Sequence, residues 1–179
     1  MIKTRKELKE CLKIEKQLYP NKLIDIITND QRTYNWKYIK LLRKCEYYYN
    51  NNNKLIFKLL YVLCRKKKNI LGSRIGIEIW ENCFDVGLII HHNGSIIVNR
   101  GCKIGKNCEL HGMNCLGNAG YGDNCPIIGD NCNIGIGASV IGKVVLGNNI
   151  KIGANAVVNK SFDKNDITLV GVPAKEVIK

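Results

Sequence analysis

The chain has 179 residues, 45% hydrophobic and 24% charged, with 28 Lys and Arg against 15 Asp and Glu for a formal net charge of +13. That length suits one compact domain plus a smaller element, and no apolar run reaches the ~18 residues of a membrane-spanning helix. Nine cysteines, an odd number without a paired CxxC, argue against a disulfide framework or a zinc knuckle and fit a reducing, cytoplasmic setting.

The charge is uneven. Residues 1–70 hold 18 Lys/Arg against 6 Asp/Glu, and the rest of the chain is nearly balanced. A basic front half is expected either as a solvated helical surface or as a contact for an anionic membrane through residues 1–68. Nucleic-acid binding is disfavoured, since no recognition motif accompanies the charge. The first 19 residues alternate charged and apolar positions, unlike a secretory signal.

Residues 4–18 read as an amphipathic helix, with Thr4 as N-cap and Glu7 completing a capping box. Pro20-Asn21 breaks it, a second short helix is expected over about 21–28, and Asn29-Asp30 is a turn or cap. Trp36, Ile39, Leu42, Cys45 and Tyr49 mark a helix over 33–49. Asn50 to Asn53 is polar punctuation, and Leu55, Leu59, Val62 and Leu63 mark a further helix over 55–64. Residues 1–69 are therefore expected as a helical subdomain, 70–170 as a second domain and 171–179 as a tail.

From Ile104 the chain changes character. Leu110, Leu116, Ile128, Ile134, Val140, Leu146, Ile152 and Val158 all stand on one six-residue period, and Gly follows six of them. A period of six is neither helical nor strictly alternating; it marks a β-solenoid whose aliphatics point inward while Gly permits close turns. The missing rung at 122 falls in Asn118–Ile127, read as an ejected loop. Phe84, Ile90 and Ile96 form an earlier register offset by two, which predicts a corner bulge near 97–103. Cys102, Cys108 and Cys132 share one phase and are expected at equivalent corners. Such a coil exposes apolar faces, so a monomer is not expected.

The runs "IGDNCNIGIGASVIGKVVLGNNIKIGANAVV" and "VGVPAK" resemble the left-handed β-helix acyltransferases built of hexapeptide repeats, and "GLIIHHNGSIIVNRGCKIGKNCELHGMNCLGNAG" is similar to their serine acetyltransferase branch. The branch includes enzymes of cysteine synthesis and relatives that acetylate sugars in surface-polysaccharide pathways. The resemblance covers roughly residues 70–175. It implies a mainly β protein, a left-handed parallel β-helix preceded by a small α-helical region. It further implies an acetyl-CoA-dependent O-acetyltransferase, assembled as a homotrimer and needing no metal.

O-acetyl transfer from a thioester needs a general base for the acceptor hydroxyl, and histidine suits this role. The family register places that base at His92 in "IIHHNGSIIV". An acidic partner one coil upstream is expected at Glu78, with Glu81 and Asp85 as fallbacks. Backbone donors for the oxyanion are expected at Gly117, Asn118 and Ala119. The family docks coenzyme A along small residues between coils, here Gly137, Ala138 and Ala154, with Lys175 for a CoA phosphate. The acceptor-contacting places of serine acetyltransferases hold His91 and Asn124 here. A serine carboxylate would miss its cationic partner and its ammonium an anionic one, each worth about 1.5–3 kcal/mol. A sugar hydroxyl would miss neither, so both acceptors stand.

Covalent catalysis through Cys115 or Cys125 lacks an activating partner in sequence. A zinc hydratase on the same coil would have to use all three histidines, His91, His92 and His111. The competing reading from another class is a non-catalytic β-helix scaffold that binds partners through its basic helices.

Overall fold

The computed structural model describes residues 1–20, 22–120, 122 and 124–177. Among these residues four helices come first: α1 (Arg5–Leu18), α2 (Leu23–Ile27), α3 (Gln31–Asn50) and α4 (Leu55–Ile75). Thr4 caps α1 through the expected box, its hydroxyl accepting from the Glu7 amide at 3.1 Å while Glu7 accepts from the Thr4 amide at 2.9 Å. Asp30 caps α3.

Fourteen short strands follow: β1 (Ile77–Ile79), β2 (Ile89–Ile90), β3 (Ile96–Val98), β4 (Lys103–Ile104), β5 (Glu109–Leu110), β6 (Cys115–Gly117), β7 (Ile127–Ile128), β8 (Asn133–Ile134), β9 (Ser139–Ile141), β10 (Val145–Leu146), β11 (Lys151–Ile152), β12 (Val157–Val158), β13 (Thr168–Val170) and β14 (Lys175–Glu176). They stack into three parallel sheets, β1-β3-β6-β9-β12, β4-β7-β10, and β2-β5-β8-β11-β13, the last closed by antiparallel β14. The result is a left-handed β-helix of triangular section. Its interior is the six-residue aliphatic phase, from Leu110 through Val158 at no more than 3% exposure. Cys102, Cys108 and Cys132 are fully buried two residues ahead of those aliphatics, at equivalent corners as expected.

Pairing shows where the coil departs from regularity. Stacked partners stand 18 residues apart in regular turns, as in Ile134 with Ile152. They stand 20 apart for Ile90 with Leu110, and 24 apart for Leu116 with Val140. The six-residue surplus is the expected loop before Ile128, of which Tyr121 and Asp123 lie outside the described residues. The two-residue surplus lies between Ile90 and Val98, in the corner His91–Ser95, not near 97–103. Val98 and Ile104 are both interior and six apart, so the bulge falls upstream of both.

Two further expectations are corrected. Helix α4 runs on to Ile75, where Gly76 ends it with φ 70°, so the coil begins at Ile77 rather than near Ile70. The reason lies in the basic run. Lys68 is buried, donating to Glu81 at 2.8 Å and to the Ile79 carbonyl at 2.7 Å, so this turn faces the coil rather than water. Residues 171–177 are likewise no loose tail: β14 pairs with β13, and Ala174 donates to the Val157 carbonyl. Ile178 and Lys179 of the expected tail lie outside the described residues.

The helices cover the open edge of the first coil, whose backbone groups have no preceding strand. Tyr38 accepts from the Ile79 amide at 3.0 Å. Tyr19 accepts from the Ile90 amide at 2.7 Å, and Asn35 donates to the Ile90 carbonyl at 3.0 Å. Arg43, 1% exposed, donates to Glu15, Glu46 and the carbonyls of Phe84 and Asp85. Burial alone would depress its guanidinium, but Glu46 and Glu15 hold it well above its ordinary value. Among the described residues, no helix is long and apolar enough to cross a membrane.

Removing Arg43 strands two buried carboxylates. Arg43→Ala is expected to lower the unfolding free energy by about 3–5 kcal/mol, read by denaturant titration. A loss below 1 kcal/mol would contradict the anchoring role.

Candidate functional site

The enlarged corner His91–Ser95 carries the histidine pair. His91 closes the β2 rung, its amide donating to the Leu110 carbonyl at 2.9 Å. His92 then leaves the strand and is exposed. Its carbonyl and Cβ lie against Gly112 in the next coil, where an added Cβ would approach both to 3.3 Å and φ is +106°. Only glycine suits that position without strain.

The partner of His92 is not the expected one. Its Nδ1 lies 2.9 Å from Gln31 Nε2 at the start of α3, and the same nitrogen donates to the His91 carbonyl at 3.3 Å. Glu78 is exposed on β1, paired beside Ile97, and lines a separate cleft with Arg65, Asn69 and Trp80. Strand alternation turns Glu78 outward between buried Ile77 and Ile79, and that outward face belongs to a different sheet from β2. The fallbacks fare no better. Glu81 is taken up by Lys68, and Asp85 Oδ1 accepts from the Val86 amide.

His91 faces a different group. Its Nε2 lies 2.8 Å from Glu109 Oε2, and its ring stacks on His111 with centroids 4.3 Å apart. Asn133 donates to the same carboxylate oxygen at 3.1 Å. His111 Nε2 is 3.9 Å from that oxygen and is buried without a hydrogen-bond partner. Burial, then the neighbouring His91, push the His111 pKa below its ordinary value. Sequence reading grouped His111 with His91 only in the zinc alternative, and it missed Glu109 beside them and Gln31 beside His92. The only available signal was the recurrence of His at 91 and 111, one coil apart.

Below the histidine corner lie the small residues expected to hold a cofactor. Met113 donates to the Gly94 carbonyl, Gly137 to that of Gly112 and Asn155 to that of Ile136. These bonds stack one corner through successive coils. Gly137 with φ 71°, buried Ala138 and exposed Ala154 all belong to it.

Gly117, Asn118 and Ala119 do not. Gly117 ends β6 and accepts from the Gly142 amide, while Asn118 accepts from Asn99 and donates to the Gly120 and Gly122 carbonyls. This is the next corner of the prism, a three-residue strand or roughly 10 Å away. Exposed Asn124 lies in the same loop. Lys175 is exposed on β14, at the far end of the coil. One chain thus unites His92 with the small-residue column but not with the Gly117–Ala119 donors or Lys175.

The cysteine alternatives weaken. Burial raises the Cys115 thiol pKa above its ordinary value, and Cys125 is 7% exposed.

The family described as "Bacterial transferase hexapeptide (six repeats)" matches residues 125–160. A serine acetyltransferase of Staphylococcus xylosus is 36% identical over 117 residues, 63% of this chain and 53% of the relative. One from Helicobacter pylori is 31% identical over 122 residues, 66% of this chain and 71% of the relative. A crystal structure of Neisseria gonorrhoeae serine acetyltransferase superimposes with a TM-score of 0.75 at 26% identity, over 98% of this chain and 68% of that one. The chain spans about half the length of the staphylococcal relatives it matches.

The Gln31 contact is directly observable. Gln31→Ala is expected to shift the His92 ring nitrogen signals in a 15N spectrum while leaving those of His111 in place. Unchanged His92 signals would contradict the contact.

Proposed function

This chain belongs to the serine acetyltransferase family of hexapeptide-repeat proteins, and from that premise we propose that it transfers the acetyl group of acetyl-CoA to an acceptor hydroxyl, with His92 as general base. The observation that carries this reading is an exposed histidine ring, held at one nitrogen and projecting from an enlarged corner of the coil. His92 Nε2 removes the hydroxyl proton as the acceptor oxygen bonds to the thioester carbonyl carbon. The tetrahedral oxyanion collapses, the C–S bond breaks, and the proton passes to the departing CoA sulfur. With Gln31 Nε2 on Nδ1, the neutral ring carries its proton on Nε2. A half-turn of the Gln31 amide instead presents Oε1 to an Nδ1–H and frees Nε2 as the base, at the cost of the 3.3 Å bond to His91. Glu78 has no place in this mechanism.

The pantetheine arm is proposed to run down the corner column past Gly137, Ala138 and Ala154, where small side chains leave backbone accessible. The Gly117–Ala119 donors stand one corner away in the same chain, so the site is proposed to form between copies of a homotrimer. Exposed Ile97, Ile127 and Val145 on the coil faces support that association. Lys175 is proposed to meet a CoA phosphate at the lower end of the groove.

The acceptor is proposed to be a neutral sugar hydroxyl, because Asn124 supplies no cation for a carboxylate and the outward nitrogen of His91 is engaged by Glu109. L-serine is the second reading, since the Neisseria relative has been solved with serine. The reaction is proposed to run in the cytoplasm, a reading that nine free cysteines support.

A lipid contact is also proposed. Leu55, Ile56, Leu59, Val62, Leu63 and Ile70 form an exposed stripe along α4, interrupted by Lys66 and flanked by Lys58 and Lys67. Apolar area bordered by lysines complements an anionic bilayer surface.

Acetyl-CoA consumption followed by mass spectrometry, over sugars, nucleotide-sugars and L-serine, tests the reaction. His92→Ala is expected to lower kcat by about 10²–10⁴-fold while acetyl-CoA binding persists. Undiminished turnover in the variant would remove His92 as base. Absent turnover together with absent acetyl-CoA binding would favour the scaffold reading. For the lipid contact, the chain is expected to co-sediment with phosphatidylglycerol-containing vesicles but not with pure phosphatidylcholine, and Leu59→Glu should release it. Equal binding to both vesicle types would contradict it.

A further inference from the structure

We propose that His91, Glu109 and His111 form a binding site for a divalent transition-metal ion, zinc being the best chemical match, on the strand face beside His92. The three donor atoms lie within 4.8 Å of one another. They come from adjacent rungs of one sheet, β2 and β5, whose backbones are locked by parallel pairing. A tetrahedral zinc with bonds of about 2.0–2.2 Å needs its ligands roughly 3.3–3.5 Å apart. The carboxylate oxygen stands 2.8 Å from His91 Nε2 and 3.9 Å from His111 Nε2, so the present separations bracket that spacing. No pair of donors is more than 4.8 Å apart, and side-chain rotation on the two fixed rungs closes that gap.

A plain His91–Glu109 hydrogen bond explains only part of this arrangement. It leaves His111 Nε2 buried, 3.9 Å from the carboxylate and without a partner. An ion gives that nitrogen a bond, and two imidazoles with one carboxylate leave a fourth position for water. Two nitrogen donors select a transition ion over magnesium or calcium, which favour all-oxygen sets. Asn133, donating to Glu109 Oε2 at 3.1 Å, supplies outer-shell support. The ligands' side chains are 37%, 34% and 33% exposed, so an ion can enter from solvent.

The site rests on geometry that does not depend on acetyl transfer. Its consequence does rest on that reading: an ion held at His91 neutralises Glu109 and crowds the acceptor approach to His92, so zinc would act as an inhibitor rather than a cofactor.

The test is titration of the chelator-treated full chain with Zn2+ by calorimetry and with Co2+ by absorption. The expected result is one ion per chain, a tetrahedral Co2+ spectrum without a thiolate charge-transfer band, and affinity weakened at least ~10-fold in Glu109→Gln and His111→Ala. His92→Ala should bind as wild type does, and circular dichroism checks that each variant is folded. Affinity unchanged in folded Glu109→Gln and His111→Ala, a thiolate band, or no binding at millimolar metal would each overturn the proposal. Binding without any acetyltransferase activity would uphold the site and count only against the function proposed above.

Discussion

A β-solenoid ends in unpaired backbone, and this chain's first coil depends on buried side chains from the helices to satisfy it. Arg43 is the centre of that arrangement, neutralised by Glu15 and Glu46 while donating to the Phe84 and Asp85 carbonyls. Helix α3 carries Asn35, Tyr38 and Arg43 on the face that meets the coil. Fixing that face also fixes the start of the helix, and Gln31 stands there against His92. The interactions that close the fold therefore also position the ring proposed as the base.

The same economy governs the coil. Interior aliphatics repeat without regard to the outer surface, so each corner is free to vary. Two corners do. A two-residue surplus lifts His92 off the strand, and a six-residue surplus lifts the Gly117–Ala119 segment away at the next corner. The regular corners beneath His92 remain lined by Gly137, Ala138 and Ala154. Irregularity thus coincides with the residues proposed to carry chemistry, and regularity with the groove proposed to hold a long substrate. On the proposed function, neither irregular corner suffices alone, and a second copy must bring the loop of one to the histidine of the other.

Much of this was readable from residue order, because local patterns report local structure. The six-residue phase identified the interior positions, and Thr4 with Glu7 marked the start of α1. What stayed hidden depended on contacts between distant residues. Lys68 sits in a run that reads as solvated, yet Glu81 and the Ile79 carbonyl bury it and extend α4 to Ile75. Glu78 stands about one coil ahead of His92, one residue short of the family spacing, and position along a strand does not say which sheet its outward side faces. Gln31 lies 61 residues before His92 and carries no motif. A ladder of asparagines, Asn107 to Asn131 to Asn149, links coils at about 3.0 Å through left-handed corners. The surplus residues spoil its spacing, 24 and then 18, so it does not read as periodic.

On the proposed function, the base and the oxyanion donors come from different copies of this chain. Co-expression of His92→Ala chains with Ala119→Pro chains, the latter lacking one loop amide, tests it most directly. Each variant alone should be nearly inactive. Mixed assemblies, verified by mass, should regain acetyl transfer wherever an intact histidine corner meets an intact loop. Mixed assemblies as inactive as their parents would contradict a site shared between copies.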